Sequence, residues 1–205
     1  QKTRKAGYDG RGVNIIKDEN DLHKLFDVPS LVEDKVTLYH EIAVIAARNA
    51  AGEVSTFDAV LMDFHEEANM LDLLLYPAPL EENLITQAKD MAESLIGKLQ
   101  ICGLLAVEFL IDQDKKIWIN EVAPRPHNSG HQTIESAYTS QYEQHIRGIL
   151  NLPLGSTSLI LPSAMVNLLG AEGFSGDVRY EGIEPCMAQE GVSVHIYGKK
   201  KTKPF

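Results

Sequence analysis

The sequence predicts an α+β fold in which an antiparallel sheet is packed against helices. The first observation is a pair of strand-like apolar runs, 104–111 and 117–122, joined by the polar turn 112–116. The second is the helical spacing of apolar residues over 80–99. A further long helix is predicted over 133–150, so strands and helices both contribute to the core.

The elements before residue 80 are short. Residues 1–13 predict the remnant of a strand that runs into a glycine-rich loop. In chain order, the segments that follow are predicted to be a strand at 13–16, a helix at 18–26, a strand at 31–33, a strand at 41–48, a turn at 49–52 and a partner strand that ends at residue 60.

The two long helices are predicted from their apolar positions. The residues that recur at helical spacing in 80–99 are Leu84, Ala88, Met91, Leu95 and Leu99. The residues of 133–150 expected to face inward are Ile134, Tyr138, Ile146 and Ile149. The pattern breaks at 151–156, and short strands are predicted at 164–168 and 193–197. The predicted domains are therefore a lid remnant at 1–32, a main subdomain at 33–150 and the start of a β-rich subdomain at 151–205.

Composition excludes several classes of protein. The 205 residues carry a net charge of −10, which argues against a nucleic-acid partner bound through phosphate neutralisation. No apolar run approaches the roughly 20 residues that span a bilayer, so no membrane partner is expected. Cys102 and Cys186 lie far apart, which favours reduced thiols and a cytoplasmic location. Because the chain starts without Met and a glycine-rich loop follows within a few residues, a missing upstream part is expected.

A glycine-rich loop lies near the start of the chain. It reads Gly7-Tyr8-Asp9-Gly10-Arg11-Gly12 and is preceded by Lys2. Its glycines would let backbone N–H groups approach phosphate oxygens, to which Lys2 and Arg11 add positive charge. The spacing is neither that of a dinucleotide-binding fingerprint nor that of a P-loop. An ordinary hairpin turn explains the segment equally well.

Two glutamates fall close to cross-strand register. Glu108 lies within the apolar run 104–111, and Glu121 lies in the next strand. Like charges opposite one another destabilise a sheet, so a shared divalent cation is the expected resolution. The carboxylates and the Asn120 amide are hard oxygen ligands that suit Mg²⁺. The alternative is that Glu108 pairs with a buried Arg or Lys.

The segment 120–131 concentrates polar side chains on a loop stiffened by two prolines, which is typical of an active site. Arg125 can form a two-pronged contact with a carboxylate or phosphate. His127 can donate to an oxyanion or relay a proton. For His131 a structural role is equally compatible. The absence of a helical His-x-x-x-His and of a cysteine partner argues against zinc.

Several motifs together resemble one family of ATP-grasp enzymes, the ATP-dependent 5-(carboxyamino)imidazole ribonucleotide synthases of purine biosynthesis. The motifs are Gly-Tyr-Asp-Gly-Arg-Gly, Ala-Val-Glu-Phe, Thr-Ser-Gln-Tyr-Glu-Gln-His and, most specifically, Asn-Glu-Val-Ala-Pro-Arg-Pro-His-Asn-Ser-Gly-His. The resemblance implies an ATP-grasp fold, the cofactors ATP and Mg²⁺, and the substrates bicarbonate and 5-aminoimidazole ribonucleotide. It also implies a homodimeric full-length protein. The implied reaction is carboxylation through carboxyphosphate.

The resemblance assigns roles along the chain. The residues implied to hold and cover the ATP phosphates are Lys2, Gly7, Tyr8, Asp9, Gly10, Arg11, Gly12 and Val13. Those implied at the adenine and ribose are Glu33, Asp34, Lys35, Val36 and Glu41. Glu108 and Glu121 would ligate Mg²⁺ with Asn120 beside them, and Arg125 and His127 would face bicarbonate. Lys199 matches a lysine near the ribonucleotide phosphate.

The chain departs from the family pattern at three places. Ala6 replaces a glycine, His65 is expected to substitute for a Glu-Asn-x-His segment that reaches the nucleotide, and the upstream Rossmann-like domain that the resemblance implies is expected to be missing from these residues. The 205 residues alone are therefore expected to bind ATP weakly without turnover. Two rival functions stay open: another ATP-grasp carboxylase or ligase, and a non-catalytic nucleotide-binding module.

Overall fold

The computed structural model describes residues 1–5, 12–64, 71–171 and 173–202. The predicted loop residues Gly7–Arg11 and His65 lie outside these ranges. The chain divides into two compact units, Gln1–Val166 and Asn167–Phe205. The domain boundaries predicted after residues 32 and 150 stay predictions.

A small two-stranded sheet opens the first unit. β1 (Lys2–Thr3) pairs antiparallel with β2 (Ser30–Leu31). Lys2 also forms an isolated bridge with Val13, which is all that remains of the strand predicted at 13–16. The helix predicted at 18–26 is a six-residue 3-10 helix, Glu19–Lys24, whose N-cap Asp18 accepts a hydrogen bond from the Asn20 amide.

An antiparallel seven-stranded sheet forms the body of the first unit. The strand order is β8-β7-β3-β5-β6-β9, and β4 pairs separately with β3. The bounds are β3 (Leu38–Arg48), β4 (Val54–Thr56), β5 (Val60–Phe64), β6 (Leu71–Tyr76), β7 (Gly103–Asp112), β8 (Ile117–Ala123) and β9 (Ser163–Val166). β3 and β7 lie at its centre and are buried over most of their length, which is why both read as continuous apolar runs.

Helix α1 (Glu82–Leu99) covers one face of this sheet, as predicted. Its buried residues are Leu84, Ala88, Ala92 and Ile96, and they pack in one cluster with β3 and β7 residues such as Ile42, Val44 and Val107. Met91 and Leu95 contact this cluster while only partly buried, and Leu99 is exposed at the end of the helix. The opposite face is partly covered as well, since Ala137 packs there with Ile45, Leu104 and Ala106 in a second buried cluster.

The helix predicted over 133–150 is two helices. α2 (Thr133–Ser136) ends where Ala137 is extended and bridges to Leu159, and α3 (Gln141–Ile149) begins after the N-cap Ser140. Because the break resets the helical phase, the expected inward face is wrong. The four residues expected inside are 41–70% exposed, namely Ile134, Tyr138, Ile146 and Ile149. Gln141, Gln144 and Gly148 are the buried residues of α3.

In the second unit, the described residues form one short strand pair and one short helix. β10 (Gly176–Asp177) pairs antiparallel with β11 (Lys201–Thr202), and α4 spans Ile183–Met187. The strand predicted at 193–197 does not form a ladder, whereas the one predicted at 164–168 corresponds to β9 in the first unit. Among the described residues, no helix combines the length and the apolar character needed to cross a bilayer.

Candidate active site

The predicted carboxylate pair lies on the two neighbouring strands at one edge of the sheet. Glu108 of β7 is directly opposite Glu121 of β8, so the predicted register is confirmed. The register shifts immediately after this pair, since Phe109 faces Ile119 and Asn120 is left over as the extra residue of a β-bulge. Bulges beside active sites re-aim side chains, and this one turns the strand at the residue between Ile119 and Glu121.

Lys2 connects three of the predicted nucleotide-binding segments. Its Nζ lies 2.9 Å from Glu33 Oε2 and donates a 3.0 Å hydrogen bond to Asn120 Oδ1. Glu33 belongs to the extended connection 32–37 between β2 and β3, which also carries the exposed Asp34 and Lys35. These partly exposed contacts contribute little to stability. Their significance is positional, because they bring β1, the predicted hinge and the bulge to one place.

Glu41 adds a third carboxylate on the same face of the sheet. In β3 it lies opposite Leu110, two residues from the point where Ala43 faces Glu108. Burial raises the pKa of Glu41, and the neighbouring charge of Glu121 raises this pKa further. The face that carries Glu41, Glu108 and Glu121 is therefore a place where a cation would relieve electrostatic repulsion.

The donor set fits Mg²⁺ bound together with phosphate. Among the described residues, no group of three or more His, Cys, Asp or Glu side chains is close enough together to hold a metal ion by itself. Mg²⁺ in phosphate-transferring sites is commonly held by one or two carboxylates and completes its octahedron with water and phosphate oxygens. Glu108 and Glu121, with the Asn120 amide oxygen, match that requirement.

The loop after β8 brings His127 against Glu108. His127 Nε2 lies 3.4 Å from Glu108 Oε1, and each side chain is only 14% exposed. The other ring nitrogen, Nδ1, is 2.9 Å from Ser129 Oγ. Arg125 is exposed, and its Nη1 donates to the adjacent Pro126 carbonyl at 3.1 Å. The imidazole is therefore held at the carboxylate pair, whereas the guanidinium is at the surface.

His131 is held by neighbours on α3. Its Nδ1 lies 2.7 Å from the Tyr142 hydroxyl and 2.9 Å from Gln141 Nε2, and its ring stacks on Tyr142 with the centroids 5.8 Å apart. These contacts favour the structural role for His131. Sequence reasoning assigned no role to Gln141 and Tyr142. The signal for α3 was present, because Ser140 and Glu143 have capping-box spacing and the Ser140 hydroxyl accepts a hydrogen bond from the Glu143 amide.

The glycine-rich loop and the last predicted site residue are only partly placed. Gly12 has a positive φ of 81°, and its carbonyl accepts a 2.8 Å hydrogen bond from the Thr3 amide. Together with the Lys2–Val13 bridge, this contact holds the two ends of the loop side by side. Lys199 is an exposed residue of the second unit, just before β11. Its predicted phosphate contact stays a prediction.

Comparison with family models and curated proteins decides the family. The model of the ATP-grasp domain matches residues 1–142, and that of the phosphoribosylaminoimidazole carboxylase C-terminal domain matches residues 163–205. The chain belongs to the ATP-grasp family. The N5-carboxyaminoimidazole ribonucleotide synthase of Bacillus subtilis is 39% identical over 206 residues, which cover 98% of this chain and 52% of the relative. The phosphoribosylaminoimidazole carboxylase of Saccharomyces cerevisiae is 36% identical, over 97% of this chain and 36% of the relative.

Solved ATP-grasp structures have the same fold. The N5-carboxyaminoimidazole ribonucleotide synthetase of Thermotoga maritima is 44% identical with a TM-score of 0.87, over 95% of this chain and 52% of that one. The synthase of Aspergillus clavatus in complex with ADP and 5-aminoimidazole ribonucleotide is 28% identical with a TM-score of 0.86, over 95% and 52%. The chain thus spans about half the length of these proteins. The predicted α+β fold with its antiparallel sheet is confirmed, as are ATP and Mg²⁺ as the cofactors of the family.

Proposed function

We propose that this chain is the nucleotide-binding part of an enzyme that carboxylates 5-aminoimidazole ribonucleotide with bicarbonate at the expense of ATP. The observation that carries the proposal is the opposed pair Glu108 and Glu121, with Lys2 donating to Asn120 at the intervening bulge. The names of the relatives supply the substrate, since the B. subtilis protein is an N5-carboxyaminoimidazole ribonucleotide synthase.

The carboxylates and the lysine divide the work of holding Mg-ATP. Glu108 and Glu121 would hold Mg²⁺ with Asn120 beside them, and Lys2 would contact phosphate oxygens. Bound Mg²⁺ would neutralise charge that develops on the phosphoryl group. Lys2 would exchange Glu33 for phosphate when the nucleotide binds, which frees the Glu33 carboxylate and the chain at 33–36 to contact adenine. Glu41 lies on β3, two residues before Ala43, which faces Glu108. Its side chain would contact the ribose.

His127 and Arg125 supply the bicarbonate side of the proposed reaction. His127 Nε2 faces the Glu108 carboxylate, so an Nε2 proton stabilised there can be donated to a bicarbonate or carboxyphosphate oxygen. Arg125 is exposed and lies two residues before His127 in the sequence. Its guanidinium can turn from the Pro126 carbonyl to an anion. Carboxyphosphate is short-lived in water, so exclusion of solvent is required. The loop between Thr3 and Gly12, whose ends are hydrogen-bonded, is the proposed cover.

The experiment that tests the proposal is substrate-dependent ATP hydrolysis. Because the 205 residues alone are expected to bind ATP without turnover, the full-length protein is incubated with Mg-ATP and bicarbonate. Phosphate release is measured with 5-aminoimidazole ribonucleotide, biotin or formate as the third substrate. Stimulation by the ribonucleotide alone supports the proposal. Stimulation by biotin or formate would instead identify another ATP-grasp carboxylase or ligase. Binding of Mg-ATP without stimulation by any of the three would favour a non-catalytic nucleotide-binding module.

Three features implied by the resemblance stay predictions. These are the homodimer, the cytoplasmic location and the nucleotide contact of His65. Light scattering of the full-length protein at micromolar concentration measures the first. A monomer at every concentration would contradict it.

A further inference from the structure

One buried side chain pairs with the backbone of the proposed catalytic histidine. Gln141, the first residue of α3, has no solvent-exposed surface. Its Oε1 accepts a 2.8 Å hydrogen bond from the His127 amide, and its Nε2 donates a 2.7 Å hydrogen bond to the His127 carbonyl. Both backbone polar groups of His127 are thus paired by one amide, as they would be by a neighbouring strand.

The Gln141 amide is itself fixed from several sides. Its backbone N–H donates to Thr133 Oγ1 at 2.9 Å, and that hydroxyl in turn donates to the Gly130 carbonyl at 2.5 Å. Gly130 packs so closely that a Cβ there would lie 2.6 Å from Gln141 Oε1. Gln141 Nε2 is also 2.9 Å from His131 Nδ1. Residues at both ends of the loop from His127 to His131 therefore contact this one side chain.

The contact has a direct consequence for the site. A residue paired at both its N–H and its C=O has little freedom to shift, and its side chain leaves the backbone in a fixed direction. His127 Nε2 is thereby kept at 3.4 Å from Glu108 Oε1. The amide supplies the required donor and acceptor together, whereas an ionised carboxylate only accepts and an alkyl group does neither.

The same helix carries a matched contact that serves another segment. Gln144, also fully buried, accepts from the Gly155 amide at 2.8 Å and donates to the Gly155 carbonyl at 2.9 Å. The two glutamines have the same chemistry, the same burial and the same pairing geometry. Gly155 belongs to the connection after α3, which carries none of the proposed catalytic residues. Gln144 is therefore an internal control for the loss of a buried amide.

We propose that Gln141 is a positioning residue, which holds His127 against Glu108 for the carboxylation step. Gln144 has the equivalent contact and only a structural role. The kinetic part of this inference rests on the proposed function, whereas its structural part does not. A buried donor or acceptor left unpaired is costly, so both glutamines contribute to stability. Only Gln141 contributes to the geometry of the catalytic groups.

The experiment compares Gln141→Leu with Gln144→Leu, with the melting temperature measured in the 205-residue chain and kcat measured in the full-length protein. Both variants are expected to lower the melting temperature by similar amounts. Gln141→Leu is expected to lower kcat by about 100-fold, the cost of a misplacement of about 1 Å in an active site, with KM for ATP unchanged. Gln144→Leu is expected to leave kcat within about 2-fold.

Two readouts do not depend on turnover. In the unsubstituted chain, the His127 amide should be protected from hydrogen exchange, and its imidazole resonances should shift in Gln141→Leu but not in Gln144→Leu. If the amide exchanges freely, or if the two variants are alike in kcat and in imidazole resonances, the proposal is overturned. If ribonucleotide-dependent turnover is absent from the unsubstituted full-length protein, the proposed function fails, while the exchange and resonance measurements on the 205-residue chain still decide the role of Gln141.

Discussion

The glutamate pair on β7 and β8 and the histidine in the loop after β8 are held in position by different kinds of contact. Glu108 and Glu121 are brought together by a ladder of backbone hydrogen bonds between β7 and β8. His127 is instead placed by contacts within its loop and with α3: Gln141 pairs with its backbone, and Ser129 Oγ lies 2.9 Å from its Nδ1. The proposed metal-binding half therefore depends on backbone hydrogen bonds between strands, whereas the proposed bicarbonate half depends on a few side chains.

Because of this difference, substitutions in the strand pair should remove a chemical group, whereas substitutions in the loop should displace the groups that remain. In the strand pair, a substituted carboxylate removes a ligand and leaves the frame in place, because the ladder is made by the main chain. In the loop, a substituted glutamine leaves every proposed catalytic group present and alters where it lies. Variants of the two halves should thus fail differently, the first in ligand binding and the second in turnover or folding.

The largest expected effect is on the strand pair. Glu121→Ala should weaken Mg-ATP binding by more than about 100-fold, since even residues outside the first coordination sphere typically account for 10–100-fold. Calorimetric titration with Mg-ATP measures this loss. Titration with ATP in the presence of chelator is the control, because it should be nearly the same for both proteins. Unchanged Mg-ATP affinity would exclude Glu121 as a ligand and weaken the catalytic proposal.

The same contrast explains which part of the site could be predicted from the sequence. The register of Glu108 with Glu121 follows from the length of the polar turn and the period of a strand. The pairing of Gln141 with His127 does not follow from any period, because it joins a loop to a helix N-terminus through one side chain. Treating 133–150 as one helix placed Ile146 and Ile149 inside, and the helix break at 137–140 placed Gln141 and Gln144 there. The capping box at Ser140 was the one local signal of that break.

The next effect tests how tightly the loop is packed. Gly130→Ala would place a methyl group against Ile45 Cδ1 and 2.6 Å from Gln141 Oε1. We expect a loss of about 1–3 kcal/mol in the free energy of unfolding, which is typical of overpacking. Urea denaturation measures it.

Gly97→Ala in α1 is the matched control for Gly130→Ala. A Cβ at Gly97 meets nothing within 4 Å, so this variant should gain about 0.5–1 kcal/mol from helix propensity. Equal stability changes in the two variants would show that the loop can adjust to the added methyl group. The loop would then be too adaptable to fix the position of His127.

A smaller effect is expected at Lys2, which contacts the strand half through Asn120. Lys2→Met keeps the aliphatic stem and removes the charge. We expect Mg-ATP affinity to fall by about 10-fold, the loss of one charge-assisted hydrogen bond to phosphate. The melting temperature without nucleotide should barely change, because the ion pair with Glu33 is partly exposed. A large loss of stability would instead make Lys2 a structural link between β1 and the bulge.

The smallest effect concerns the charge that the strand half accumulates. The pKa of Glu41 is raised by burial and by Glu121, so its folded-state pKa lies above its unfolded value. Such a group favours the folded state at acid pH, and this contribution is lost as pH rises through the folded pKa.

Glu41→Gln should therefore raise the free energy of unfolding at pH 7, by less than about 1 kcal/mol after solvent screening. The gain should vanish below the ordinary carboxyl pKa of 4.5. Saturating Mg²⁺ should reduce the gain at pH 7, since a bound cation neutralises the Glu121 charge that opposes Glu41. A gain independent of pH would mean that the amide stabilises through packing, and that Glu41 does not belong to the repulsive cluster on the metal-binding face.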